Sequence, residues 1–197
     1  MYLPPITGVI LAGGLARRMG GQDKGLVPLF GKPLYLHVVE KIAPQVGELF
    51  INANRNISIY QQSGYPVISD TIGGFVGPLA GMLTGLEYSS TEWVLFVPCD
   101  TPFIPDNLVK HLWNNKGDSH AAYACDNERE HPTISLINKT LIPSLRQFLA
   151  NGDKKLMLFL EQCRSQAVIF ENSLTAFHNL NTPEDCQLLE DKANNDR

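Results

Sequence analysis

Several familiar devices are missing from this chain of 197 residues, and each absence removes a class of function. Its four cysteines, Cys99, Cys125, Cys163 and Cys186, are widely separated and form no C-x-x-C pair. That argues against a zinc knuckle or a thioredoxin-type dithiol and leaves reduced thiols as the expected state. There is no excess of positive charge: 16 Lys and Arg against 20 Asp and Glu give a formal net charge of −4. Such a balance does not suit a protein that grips a nucleic-acid backbone by counterion release, so any bound anion should be small and held locally. No apolar segment approaches the ~20 residues needed to cross a bilayer. The start, MYLPPITGVILAGG, lacks a basic leader region and carries Pro4 and Pro5, so it is not read as a signal peptide. The expectation is a cytoplasmic chain that engages neither membrane nor nucleic acid. With an apolar fraction of 44%, a single domain over 1–197 is expected, fraying from about 189.

What is present is an alternation of short apolar strands and helical periods. Ile6–Ala12, Glu48–Ala53, Tyr65–Ser69 and Trp93–Val97 read as strands, the last apolar throughout as suits an inner parallel strand. Tyr35, Val38, Val39, Ile42 and Val46 recur at helical spacing after Pro33, and Leu79, Met82, Leu83 and Leu86 form a second stripe. Leu108 and Leu112 mark a third. Beyond Gly117, His120–Cys125 and His131–Ile137 read as strands joined by the turn DNERE, the second antiparallel because no helix intervenes. Helices near 141–149 and 154–163, a strand at 166–170 and a helix capped by Thr182 complete the chain. The fold class is α/β with a mostly parallel sheet and some antiparallel pairing in the C-terminal half. Ligands of such sheets bind at the carboxyl ends of the strands. Those exits carry Leu11-Ala12-Gly13-Gly14, Asn52-Ala53-Asn54, Asp70 and Pro98-Cys99-Asp100.

The first exit opens LAGGLARRMGGQDKG, residues 11–25. It matches neither G-x-G-x-x-G nor G-x-x-x-x-G-K-[ST]. Gly13 and Gly14 nevertheless allow main-chain N–H groups to face an anion, with Arg17, Arg18 and Lys24 to supply charge. The alternative is a tight turn with solvated basic side chains. Asp100, directly after a buried strand, suits Mg²⁺ already held by phosphate oxygens, or simply a turn before Pro102. Asp70 either accepts hydrogen bonds from a base or ribose or caps its own loop. The loop at residues 73–81, GGFVGPLAG, including Pro78 and Leu79, either closes over a flat base or starts a helix. His131 and His178 lack a nucleophile partner, and a structural place is the simpler reading for each.

Taken together, LAGGLARRMGGQDKG, NAN, SD, GPLAGML, PCDTPFIP, EREHPT and NLNTPED resemble the molybdenum cofactor guanylyltransferase family of nucleotidyltransferases, from Ile6 to about Glu184. The resemblance implies a Rossmann-like three-layer α/β/α fold and a Mg²⁺-dependent transfer of GMP from GTP to the phosphate of the molybdenum-bound molybdopterin cofactor. It implies nucleotide binding in the N-terminal half at Leu11, Ala12, Gly13, Gly14, Lys24, Asn52, Asp70, Pro78, Leu79 and Asp100. Lys24, Asp100 and Arg17 are then the catalytic candidates, with the metal on Asp100. Arg129, His131, Asn179 and Asn181 are acceptor candidates in the C-terminal half, and transient contacts with proteins that supply or receive the cofactor follow. The rival readings are a cytidylyltransferase for the related cofactor, a sugar-phosphate nucleotidyltransferase and a non-catalytic cofactor carrier. The chain lacks the G-T-R and P-K-P segments of sugar-phosphate enzymes, and its C-D-T offers one carboxylate where a glycosyltransferase has D-x-D.

Overall fold

A computed structural model describes residues 2–14, 23–73, 77–171 and 175–195. Its main sheet has seven strands in the order β5-β4-β1-β6-β8-β7-β9. β1 (Ile6–Leu11) pairs in parallel with β4 (Glu48–Asn52) on one side and β6 (Trp93–Pro98) on the other. β4 continues in parallel to β5 (Val67–Ile68). β8 (Glu130–Asn138) is antiparallel to both β6 and β7 (Ala121–Cys125), as the DNERE turn implies, and β9 (Gln166–Ile169) is parallel to β7. The chain therefore leaves β1 for β4 on one side and reaches β6 on the other. The crevice between those crossovers is where such sheets bind ligands.

Each inner strand is covered on both faces, which is why β6 is apolar without alternation. Helices α1 (Leu34–Ile42) and α4 (Leu108–Asn115) bury Val38, Ile42, Leu108 and Leu112 against Ile6, Ile10, Leu95 and Val97. On the opposite face α3 (Pro78–Tyr88), α5 (Ile142–Ala150) and α6 (Leu156–Gln162) pack Leu79, Met82, Leu145 and Phe159 over Val9, Val94 and Phe96. This is the three-layer arrangement expected. All four cysteines are free, and among the described residues no helix is long and apolar enough to cross a membrane.

Three local differences from the sequence reading have physical causes. The strand expected at 65–69 shrinks to the edge pair Val67–Ile68, after Pro66, which has no N–H to give a ladder. A one-turn helix, α2 (Ile57–Tyr60), follows β4 unforeseen, because four residues are too few to show a period. Residues 189–195 of the tail expected to fray are instead part of α7 (Pro183–Asn195). Thr182 Oγ1 accepts from Asp185 N at 3.1 Å while Asp185 Oδ2 accepts from Thr182 N at 2.9 Å, a reciprocal cap. Cys186 is buried with Val27, Leu29 and Leu180, and Leu189 packs onto that cluster.

The hairpin under α7, β2 (Pro28–Leu29) and β3 (Lys32–Pro33), turns through Phe30 and Gly31, both with positive φ. Glycine suits this primed turn, but Phe30 at φ 49° is an exposed aromatic in a left-handed conformation that suits Asn far better. Phe30→Asn is expected to stabilise the fold by about 1 kcal/mol in chemical denaturation; an unchanged midpoint would show that the Phe30 ring contributes contacts equal to that strain.

Candidate active site

The register sets Leu11 beside both Asn52 and Pro98, so three strands end at one level. The ladder then runs on into the loops: Ala12 N donates to Asn52 O at 2.8 Å and Cys99 N to Leu11 O at 3.1 Å. At this edge Asn52 is buried and donates through Nδ2 to Asp70 Oδ1 at 2.8 Å and to Ile68 O at 3.3 Å. Asn54 Nδ2 donates to Asp70 Oδ2 at 2.9 Å, and Asn54 Oδ1 accepts from Asp70 N at 2.9 Å. Asp70 is thus gripped at both carboxylate oxygens. The Asn52 carboxamide occupies the space beside two glycines: a Cβ on Gly13 would lie 3.2 Å from its Oδ1, and one on Gly81 only 2.3 Å.

Across the crevice, Lys24 stands in a single 3₁₀ turn, Lys24–Leu26, whose N-cap is Asp23. Its Nζ donates to Asn181 Oδ1 at 2.8 Å and lies 3.4 Å from Asp100 Oδ2. The Asp100 side chain is 7% exposed, and its Oδ1 has no hydrogen-bond partner among the described residues. Burial pushes the Asp100 carboxyl above the usual carboxylate range, and Lys24 opposes that shift. Asp23 is itself buried, accepting from Tyr60 Oη at 2.6 Å, Asn56 Nδ2 at 3.0 Å and Gly25 N at 3.3 Å. Gly25 is seated so closely that a Cβ there would lie 2.5 Å from Tyr60 Oη.

The segment before α7 closes onto the same edge. Leu180 N donates to Asp100 O at 2.9 Å, and Thr101 Oγ1 donates to Asn179 Oδ1 at 3.2 Å. Farther along, His131 Nε2 lies 2.7 Å from Asp126 Oδ2, and the His131 ring packs on Phe177 with centroids 5.1 Å apart. Burial alone would raise the Asp126 carboxyl; hydrogen bonds from His131 and from the main-chain N–H groups of Glu128 and Arg129 hold it down at about 2. A carboxyl held below its unfolded value of about 3.9 contributes stability above about pH 4 that is lost as pH falls through about 2. Asp126→Asn is therefore expected to lower stability near neutrality and to flatten the loss between about pH 4 and about pH 2 in acid-unfolding curves. Parallel curves would remove Asp126 from that pH response.

The strand exits and a lysine set beside a buried carboxylate frame a ligand crevice, and comparison with known proteins places the chain in a family. Residues 8–167 match the family described as the MobA-like NTP transferase domain. The chain belongs to that family. A molybdenum cofactor guanylyltransferase from Yersinia pseudotuberculosis is 57% identical over 189 residues, 96% of this chain and 97% of that protein. The structure of molybdopterin-guanine dinucleotide biosynthesis protein A from Archaeoglobus fulgidus superposes with a TM-score of 0.73 at 22% identity, covering 96% of this chain and 99% of the other. A 4-diphosphocytidyl-2C-methyl-D-erythritol synthase from Anaerococcus prevotii superposes with a TM-score of 0.75 at 12% identity and 96% coverage of each chain. At these identities the two structures speak for a shared fold alone.

In this MobA-like domain the expected residues fall into distinct groups. Lys24, Asp100 and Asn181 touch; Asn52, Asp70 and Gly13 form a second cluster; Ala12 and Leu11 line the exit between them. Pro78 and Leu79 begin α3, and the Leu79 side chain is buried in the core. His131 is 10% exposed, is engaged by Asp126 and packs on Phe177, just before Asn179 and Asn181, and Arg129 is exposed. His178 is exposed. Arg17 and Arg18 lie outside the described residues, as do residues 74–76 of the glycine loop. Asp23, Arg55, Asn56, Tyr60 and Thr101 were not singled out by sequence, and Asn54 was noted only at its strand exit. The polar run NANRN directly after a strand was the available signal for three of them.

The residues present fit a divalent cation only in part on their own. Asp100 offers one orphaned, buried carboxylate oxygen, while among the described residues no group of three or more His, Cys, Asp or Glu could hold a metal. That donor set suits Mg²⁺ brought by phosphate oxygens and water.

Proposed function

We propose that this MobA-like enzyme transfers GMP from GTP to the phosphate of the molybdenum-bound molybdopterin cofactor, forming molybdopterin guanine dinucleotide and releasing pyrophosphate. The observation that carries the reading is the Lys24 amino group set between Asp100 and Asn181 at the carboxyl edge of the sheet. The name of its 57%-identical relative supports the nucleotide and the acceptor. An oxygen of the acceptor phosphate attacks the α-phosphorus of GTP; one P–O bond forms and the bond to the departing pyrophosphate breaks. The acceptor brings its own nucleophile, so the protein's work is positioning and charge stabilisation. Lys24 faces the phosphates, with Arg17 as its assistant, and the segment Leu11–Gly14 lies against the nucleotide. Asn52 and Asp70 lie on the base side. Asp100 would hold Mg²⁺, which when bound supplies charge neutralisation at the phosphates. Asn179 and Asn181 present amide donors and acceptors matched to a pterin edge, with Arg129 and His131 as further acceptor contacts. The setting is cytoplasmic, with transient contacts to proteins that supply and receive the cofactor.

The test is pyrophosphate release with molybdopterin acceptor, Mg²⁺ and GTP or CTP in parallel. Release with GTP and little with CTP is expected. Efficient turnover with CTP alone would replace this reading by the cytidylyl one, and nucleotide binding without turnover by the carrier.

A further inference from the structure

The five residues Asn52–Asn56 leave β4 as a polar hub. Asn52 and Asn54 grip Asp70, and Asn56 binds Asp23. Arg55 makes a different connection. Its Nη2 donates to Gly14 O at 3.3 Å, and its Nε lies 3.8 Å from Asp23 Oδ2. Gly14 and Asp23 are the described residues on either side of the glycine-rich segment, and Asp23 immediately precedes Lys24.

The two ends differ in how they are held. Asp23 is buried, is bound by Tyr60, Asn56 and Gly25 N, and caps the turn that carries Lys24. Gly14 is exposed, and among the described residues a Cβ there would meet nothing within 4 Å. The Arg55 guanidinium bridges the two, with Nη2 on the Gly14 carbonyl and Nε toward the Asp23 carboxylate. A planar fork with several donors can satisfy a carbonyl and a carboxylate at once, whereas an ammonium on a flexible stem is a point charge that serves one of them well.

We propose that Arg55 is a positioning residue of the phosphate site, a strap that sets the β1 exit at Gly14 against the Asp23–Lys24 turn. It rests on the reading that Lys24 acts on the phosphates. Arg55 then works through Lys24, and its effect should vanish when Lys24 is gone.

The experiment is a double-mutant cycle of Arg55→Lys and Lys24→Ala, read by pyrophosphate release from GTP and by thermal unfolding without nucleotide. Lysine is chosen because it leaves Asp23 an ion-pair partner, so that the fold survives. Arg55→Lys alone is expected to lower kcat/KM about tenfold, as residues that orient a functional group commonly do. In the Lys24→Ala background it should change the rate by less than about twofold, the sign of coupled sites. The unfolding midpoint should move by no more than about 3 °C. Additive losses, an unaffected Arg55→Lys enzyme, or a rate loss matched by a large fall in midpoint would each overturn the strap. A Lys24→Ala enzyme at full rate would overturn the Lys24 reading and the strap with it, whereas a slow Lys24→Ala with a normal Arg55→Lys overturns the strap alone.

Discussion

Asp100→Ala is expected to lower Mg²⁺-dependent pyrophosphate release about 100- to 1000-fold, roughly 3 to 4 kcal/mol of transition-state stabilisation, while the protein remains folded. The two halves of that expectation have one cause. The carboxylate is buried at the end of β6, faces Lys24 at 3.4 Å with one oxygen and has no partner for the other among the described residues. Burial pushes its carboxyl up, so its charged form is disfavoured by the fold. A carboxyl whose folded pKa is raised stabilises the fold below that pKa and costs stability above it, where it must ionise. At neutral pH the substitution therefore relieves a penalty, and the unfolding midpoint should hold or rise. This is the signature of a group kept for chemistry at the expense of stability. A near-normal rate would remove Asp100 from the site, and a sharp drop in midpoint would make it a structural residue.

Gly81→Ala should show the opposite pattern, a loss of stability and of nucleotide affinity together. In an open helix the change would favour the fold by up to about 1 kcal/mol, since alanine is the better helix former. At this position the new Cβ would stand 2.3 Å from Asn52 Oδ1 and 3.0 Å from Leu11 Cδ2. Asn52 has nowhere to go: it is 2% exposed and tied to Asp70 and Ile68. Overpacking against a fixed side chain costs about 1 to 3 kcal/mol, which is a fall of several degrees in a domain of this size. The clash also pushes Asn52 toward Gly13 and Asp70, so KM for GTP should rise with the loss of stability. A variant as stable as the parent with unchanged KM would mean that α3 can shift off the sheet without effect on the crevice.

Much of the frame was legible in the residues themselves. WVLFV is apolar at every position because β6 has neighbours and helices on all sides, and a strand so placed leaves no alternation to misread. The antiparallel β8 followed from the shortness of DNERE, which cannot make a parallel crossover. Elements whose stability comes from tertiary contact were less legible. The tail from 189 is polar enough to look frayed, yet residues 189–195 are helical because Cys186 and Leu189 lie on the hairpin core. The pair Lys24 and Asp100 could be nominated separately, but 76 residues separate them, and nothing local brings Asn181 to the same amino group.

The sequence by itself determined that glycine, amide and carboxylate groups stand at strand ends, because strand periodicity and turn chemistry are local properties. It also carried the motifs that mark the family. Only the tertiary structure decided which of those groups touch. The register of β1 against β4 and β6 sets three exits at one level, and the return of residues 177–181 lays a distant segment across Asp100. The interactions of Asp23, Arg55 and Asn56 arise from that closure. They depend on distances between chain segments, which no pattern along the chain encodes.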